Sequence, residues 1–598
     1  MTEARTLRLS LTLRGTVLAE TAVENLSALR RIQLDFPSAD SFGRSSFEID
    51  LGSFLGNLAG IAKWTAGPVD WSAPLHDLAI SVLDDADHLE ELRRAHEIEP
   101  TELSLEADWQ GELTDFQNRD LVKLLAMRHG ANFSVPGAGK TRVALGFLSH
   151  LRATGRAKRA LVIAPKSAYE SWINEAGVAF SEGRRVVVYS GGTAPDCDVL
   201  IVNYERLASS RTHLAGFLGR GRTLLILDEA HRMKRGANGV YGAVCLSLGP
   251  LAAARLVLSG TPAPNGLSDL KSIFEFVWPG RGSRLLGTGA AEWSAVSSAV
   301  KPLFTRTTKS ELGLPPLSVR IQTVALPPIH REIYDALLGQ LRRSVSEHER
   351  IDDLGKVIVY LLMAATSPAL LAIGSSQHEP LQFRVPPFTA PQSGQLRSLM
   401  AELPRYEMSP KLLEAVRIAR ENARLGRKTL IWSTFIRNLS TLQALMPELD
   451  PQLVVGGTSD EDRTARLDRF RNNAGTFVLL SNPATLGEGV SLHHECHDAV
   501  YIDRDFAAGR FLQSLDRIHR LGLKPGTETK ATVLVAEGTI DELVLARLAR
   551  KLDWMSDALD DPSLSVLADL EEERESAGVL DASDAEAVWA FLGSREYS

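Results

Sequence analysis

Cysteine is scarce in this 598-residue chain: Cys197, Cys245 and Cys496 are the only three. So few thiols, so widely spaced, form no disulfide framework, and a reducing compartment is expected. No apolar run reaches the roughly 20 residues that a membrane-spanning helix requires. The opening residues Met1–Thr16 also lack the apolar core of a signal peptide. These absences lead to the expectation of a cytoplasmic protein with no membrane partner. Aromatic residues make up 6% of the chain, and low-complexity tails are missing. His493, His494, Cys496 and His497 lie close together. No second cluster with ligand spacing accompanies them, so no metal centre is expected there.

Net positive charge is missing too, the total being −8. That sum conceals a distribution. Residues 1–110 hold 19 acidic and 9 basic side chains, and residues 552–598 hold 13 and 2, which leaves +13 on the centre. A basic body between acidic ends is compatible with a polyanionic partner, whereas the total alone argues against one.

The apolar patterning divides the chain into five regions. Residues 1–108 show strand-like alternation at Leu7–Leu13 and Phe47–Leu51 and a charged helical stretch at Asp84–His96, so a separate N-terminal accessory α+β domain is expected. From 109 to 280, short apolar strands such as Ala160–Ile163, Val199–Val202, Leu224–Leu227 and Arg255–Leu258 alternate with helices. That is the pattern of an α/β layer with buried parallel strands. Residues 281–405 form a mixed connecting region with helices at Ile329–Val345 and Leu354–Ala365 and a Pro- and Gln-containing segment at His378–Gln395. The alternation returns over 406–551, with strands near Thr429–Ser433, Phe477–Ser481 and Ala499–Ile502. Residues 552–598 read as an acidic helical tail.

Two motifs carry chemistry. Ser134-Val135-Pro136-Gly137-Ala138-Gly139-Lys140-Thr141 lies between a strand and a helical run. Backbone N–H groups around Gly137, Ala138 and Gly139 can cradle nucleotide phosphates, Lys140 adds a point charge, and Thr141 offers a hydroxyl to Mg²⁺. Ser134 stands where the strict pattern has glycine. About ninety residues on, the apolar run Leu224–Leu227 ends in Asp228-Glu229-Ala230-His231. Carboxylates at the C-terminal end of a buried strand lie where α/β folds bind ligands. Asp228 can hold Mg²⁺, directly or through water, and Glu229 can orient and deprotonate an attacking water.

From Leu113 to Lys551 an ordered set of motifs resembles helicase superfamily two, and within it the Swi/Snf-type DNA translocases. Leu113–Gln117 resembles an adenine-reading motif, with Gln117 as the base contact. Ala164-Pro165-Lys166-Ser167 with Trp172 and Glu175, then Asp198–Glu205, then Arg232-Met233-Lys234, follow in the family's order. Ser259-Gly260-Thr261-Pro262 and Arg306 to Pro316 come next. In the second half, Lys428–Phe435, Gly457-Thr458, Leu480–Leu492 with Gly487 and Gly489, and Gln513, Asp516, Arg517, His519 and Arg520 are similar to motifs IV to VI. The family's Trp after motif V is Phe506 here, and the Gln after motif VI is Leu523.

The resemblance implies two tandem RecA-like lobes with parallel sheets, flanked by the accessory domain and the helical tail. It implies ATP as substrate with Mg²⁺, and Gly489 as a further nucleotide-binding position. Arg517 and Arg520 would add charge to the γ-phosphate on lobe closure, and Gln513 is a further catalytic position. Lys166, Tyr204, Lys234, Ser433, Thr434 and Thr485 would contact a nucleic-acid backbone, most simply double-stranded DNA. The activity implied is ATP-driven movement along duplex DNA. A strand-separating DNA or RNA helicase stays open, as does a nucleic-acid-sensing scaffold subunit, for example in a defence complex. Protein partners would dock on the N-terminal domain or the acidic tail.

Overall fold

The computed structural model describes residues 6–593 apart from 13–14, 37–38, 42, 95–100, 234–235, 261, 263–266, 286–299, 347–350, 380, 382, 391–394, 407, 487–489, 491, 560–563 and 565–581. Two compact units emerge, the first built on residues up to 311 and the second on 312–556 with the final helix. No helix among the described residues is long and apolar enough to cross a membrane.

The first unit contains two sheets. The smaller has strands β1 (Leu7–Leu11), β2 (Thr16–Glu20), β3 (Asp40–Ser41), β4 (Ser46–Asp50) and β5 (Val69–Trp71) in the order β3-β4-β2-β1-β5. Leu7, Leu9, Val17, Ala19, Phe47 and Ile49 are all buried. Their alternation puts one face of the sheet against the helices, as a period of two requires. The helix Ala73–Arg94 completes this domain and takes in the expected stretch from Asp84; residues 95 and 96 lie outside the described residues.

The larger sheet comprises β6 (Gly130–Asn132), β7 (Arg159–Ile163), β8 (Val186–Val188), β9 (Val199–Val202), β10 (Thr223–Asp228), β11 (Ala254–Leu258) and β12 (Phe304–Thr305). Its order is β12-β6-β11-β10-β7-β9-β8, and every pairing is parallel. The central strands β7, β9, β10 and β11 are buried almost throughout, so their residues read as apolar runs rather than alternations. Because the strands run one way, the loops after β6, β7, β9, β10 and β11 gather at one edge.

The N-terminal domain is tied into this lobe by a buried ionic cluster. Asp85 lies 2.7 Å from Arg255 and 2.8 Å from His129. Arg255 sits inside the sheet on β11, 1% exposed, and also donates to the Val277 carbonyl at 2.7 Å. Burial works against the Asp85 charge, but His129 and Arg255 hold the carboxyl well below the usual carboxylate range. Burial, then the Arg255 charge, pushes His129 down to about 4, so it is neutral near pH 7. Alongside, the backbones of Gly56 and Gly280 pack so closely that a Cβ on Gly280 would lie 2.5 Å from Gly56 Cα.

The second unit has a six-stranded parallel sheet: β13 (Leu317–Val324), β14 (Lys428–Trp432), β15 (Gln452–Val454), β16 (Val478–Ser481), β17 (Cys496–Tyr501) and β18 (Thr529–Ala536), in the order β13-β18-β17-β14-β16-β15. The region 281–405 is therefore not a separate connector. Its β12 closes the edge of the first lobe's sheet, and its β13 pairs over eight residues with β18. Helices Pro328–Ser346 and Ile351–Thr366 follow. The boundary drawn at 551/552 is also displaced. The helix Ile540–Leu559 runs through it and buries Leu552, Met555 and Leu559. The last helix, Ala582–Gly593, buries Val588 and Leu592, and the Phe591 carbonyl accepts from Arg342 at 3.3 Å.

Replacing Asp85 by Asn leaves the buried Arg255 guanidinium without its carboxylate. Thermal and denaturant unfolding should register a loss of about 3–5 kcal/mol. A change below about 1 kcal/mol would show that the cluster does not anchor the domain.

Candidate nucleotide and nucleic-acid site

The phosphate loop follows β6. Gly137 and Gly139 have φ of 90° and 78°, a left-handed backbone that favours glycine. A Cβ on Gly139 would also collide with the Gln117 side-chain amide, so the loop excludes larger residues twice over. The helix Lys140–Ala153 starts here and aims its N-terminal N–H groups at the loop, an arrangement that suits anions. Lys140 Nζ lies over the loop backbone, donating to the Ser134 carbonyl at 2.8 Å and the Val135 carbonyl at 3.4 Å. Thr141 is half-buried in the first turn of the same helix.

Gln117 braces this loop. Its Oε1 accepts from the Thr114 N–H at 3.1 Å in a capping box, and its Nε2 donates to the Ala138 carbonyl at 3.1 Å. One helical turn on, Asp120 is 2% exposed and accepts from Ser134 Oγ at 2.8 Å and Thr307 Oγ1 at 2.9 Å. The Thr307 N–H in turn donates to Ser134 Oγ at 2.8 Å. This explains Ser134 in place of glycine: its hydroxyl fastens the loop to the helix and to the segment after β12. Asp120 and Thr307 were not picked out from the sequence. The one signal was the i, i+3 spacing of Gln117 and Asp120 on a single helix face.

Asp228 ends β10 and Glu229 follows it, two strands away from β6 at the same edge. Asp228 Oδ2 accepts from the Trp172 indole at 2.8 Å and Oδ1 accepts from the Glu229 N–H at 3.0 Å. Burial, reinforced by the neighbouring Glu229, raises the Asp228 carboxyl to about 6, while the Trp172 hydrogen bond and the Lys140 charge pull it down. Glu229 has φ of 48°, a strained left-handed conformation for a non-glycine residue, of the kind that concentrates at functional positions. Its carboxylate lies 3.3 Å from His231 Nδ1. A carboxylate, a hydroxyl, a lysine and a glycine-rich helix N-terminus at one sheet edge fit a nucleotide phosphate with its divalent cation. Thr141 and Asp228 are the residues that would hold the metal.

The proposed nucleic-acid contacts divide. Lys166 is exposed on the turn after β7, and Thr485 is half-buried. Tyr204 is fully buried; its hydroxyl donates to the Asp228 backbone carbonyl at 2.8 Å, so it does not face a ligand surface. Ser433 and Thr434 are buried as well and bind Asp503, Thr434 through its N–H at 2.7 Å and Ser433 through its hydroxyl. The alternation of a strand end does not reveal whether the next polar residue points outward. Lys234 and Gly489 lie outside the described residues.

In the second unit, Gln513 and Arg517 are 9% and 7% exposed. The Arg517 guanidinium donates to the carbonyls of Gln513 and Val490, each at 3.0 Å. Arg520 is half-buried. Cys496 is fully buried with its thiol against the Lys428 and Asp498 carbonyls, each 3.5 Å away.

Two tandem parallel-sheet lobes of RecA-like type, the first holding a phosphate loop and an Asp-Glu pair at one edge, define a helicase-like nucleotide-binding protein. A family model described as SNF2-related domain matches residues 133–365. That segment contains the Gly137–Thr141 loop and the Asp228–Glu229 pair, and over it the chain is similar to the Swi/Snf type of helicase superfamily two. It is 25% identical over 462 residues to Protein CHROMATIN REMODELING 4 of Arabidopsis thaliana, covering 70% of this chain and 19% of that protein. It is 24% identical over 485 residues to the ISWI chromatin-remodeling complex ATPase ISW2 of Saccharomyces cerevisiae, covering 74% and 40%. The chain thus spans less than half the length of these curated relatives. A solved Sulfolobus solfataricus SWI2/SNF2 ATPase core in complex with dsDNA is similar at 20% identity and a TM-score of 0.34, covering 79% of this chain and 97% of that one.

For a carboxyl raised to about 6, the proton competes increasingly with a cation as pH falls through that value. Mg²⁺-dependent nucleotide binding at low Mg²⁺ should therefore weaken as pH falls through about 6. Raising Mg²⁺ should move this limb to lower pH, because cation and proton compete. Equilibrium binding of a fluorescent ATP analogue across pH 5–8 checks this, and a limb indifferent to Mg²⁺ would contradict it.

Proposed function

We propose that this protein hydrolyses ATP to ADP and phosphate and uses the cycle to move along double-stranded DNA or remodel DNA–protein complexes. The observation that carries the reading is the Lys140 loop and the Asp228–Glu229 pair meeting at one sheet edge, inside a segment that matches the SNF2-related model. The names of its relatives, chromatin-remodelling ATPases, lend further support.

In this reading Lys140 and the loop N–H groups bind the phosphates, and Thr141 and Asp228 hold Mg²⁺. The metal would neutralise charge on the phosphates. Glu229 orients a water and takes its proton as the water attacks the terminal phosphorus. The motif VI arginines, Arg517 and Arg520, would add positive charge to the terminal phosphate. Exposed Lys166 is the described residue best placed for a backbone phosphate, a contact without sequence information. Protein partners are proposed for the N-terminal domain. The protein would act in the cytoplasm, and on the nucleoid if its host is a bacterium.

ATPase rates measured side by side with duplex DNA, single-stranded DNA and RNA test the reading. Duplex DNA should stimulate most. Stimulation by single strands or RNA alone favours a strand-separating helicase, and indifference to all three favours a switching scaffold. Glu229→Gln should abolish turnover, a drop of at least about a hundredfold, while nucleotide binding persists, because geometry survives and the base does not. Normal turnover in that variant would refute the role of Glu229.

A further inference from the structure

Two elements of the first lobe converge on Asp228, each through a buried aromatic hydrogen bond. Trp172 is 1% exposed, in the first turn of the helix Tyr169–Ala179. Three residues before this helix, Lys166 begins the exposed turn after β7. The Trp172 indole N–H donates to Asp228 Oδ2 at 2.8 Å. An indole has no acceptor and a single donor, so this N–H has one use, and a buried carboxylate makes the bond a charge-assisted one. The same helix grips the phosphate-loop helix, where Glu175 pairs with Arg142, the residue after Thr141.

Tyr204 supplies the second link. It follows β9 and begins the short turn Tyr204–Arg206. Burial pushes its phenol well up, so the hydroxyl stays a donor at any working pH, and it donates to the Asp228 backbone carbonyl at 2.8 Å. In the same turn Glu205 meets Arg232 at 3.3 Å, and the Arg232 guanidinium lies 5.9 Å from the Tyr204 ring centre. Side chain and main chain of Asp228 are thus held separately, one from the turn after β7 and the other from the turn after β9.

We propose that Trp172 and Tyr204 are positioning residues: they set the side chain and backbone of Asp228, and they couple the exposed turns after β7 and β9 to the nucleotide carboxylates. A displacement of either turn by a bound polyanion moves its aromatic residue, and with it the residue that would hold the metal. The strained backbone of Glu229, next in sequence, is then held or released by the same two bonds. The inference rests on the ATPase reading above. It adds the route by which occupancy of the Lys166 turn reaches the chemistry.

The test uses the full chain with Trp172→Phe, which keeps an aromatic ring and removes the N–H, and Tyr204→Phe, which removes one hydroxyl. A fluorescent ATP analogue is titrated with EDTA and with Mg²⁺, and turnover is measured with and without duplex DNA. Trp172→Phe should lose about tenfold of the Mg²⁺-dependent gain in affinity, the size of one charge-assisted hydrogen bond. Its metal-free affinity, set by the Lys140 loop, should stay within about twofold of the wild type. Tyr204→Phe should keep both affinities and lower the ratio of DNA-stimulated to unstimulated turnover several-fold. A general packing defect would instead lower metal-free and metal-dependent binding together. The proposal is overturned if either folded variant, judged by its thermal midpoint, matches the wild type in its assigned readout. Should Trp172→Phe fail to fold, Tyr204→Phe decides alone. If the wild type gains no affinity from Mg²⁺, the ATPase reading itself fails, a result distinct from wild-type behaviour in the variants.

Discussion

The nucleotide site depends on a carboxylate buried at the end of a central strand. Placing Asp228 there costs solvation, and that cost is visible in its raised pKa. The indole of Trp172, the N–H of Glu229 and the charge of Lys140 offset part of it. The remainder favours any cation that arrives. The strained Glu229 backbone follows directly on β10 and carries the second carboxylate.

Around that point the lobe is braced rather than merely packed. Ser134, Asp120 and Thr307 fix the phosphate loop from one side, and Gln117 fixes it from another. The departure of Ser134 from the usual glycine is thus a change of fastening, not a loss of the loop. Likewise the N-terminal domain is part of the lobe's ionic structure. Arg255, inside the main sheet, finds its carboxylate on a helix of that domain. A charge so deep is tolerable only with such a partner.

Much of this was legible in the sequence. Apolar runs at Leu224–Leu227 and Ala160–Ile163 identified buried parallel strands, and the glycines before Lys140 identified the phosphate loop, because both are local signals. The second-lobe strands near Thr429, Phe477 and Ala499 were equally plain. Less was legible at the lobe boundaries. β12 has two residues and β13 pairs with a strand two hundred residues later, so neither announces its sheet. The acidic end read as a tail by charge, whereas Leu552, Met555 and Val588 are buried.

The sequence by itself determined the class of protein, the strand–loop–helix of the phosphate site and the acidic strand end, because each is a short motif whose physics is local. The tertiary structure decided which way side chains face and what they touch. Tyr204, Ser433 and Thr434 look like surface contacts as letters in a motif, yet they are buried and bound to Asp228 or Asp503. Trp172 entered only as a letter of a motif and Asp85 carried no site signal, yet each satisfies a charged group brought close only by the packing of distant strands and helices. Hydrogen bonds between remote residues depend on distance in space, and a pattern read along one chain does not contain it.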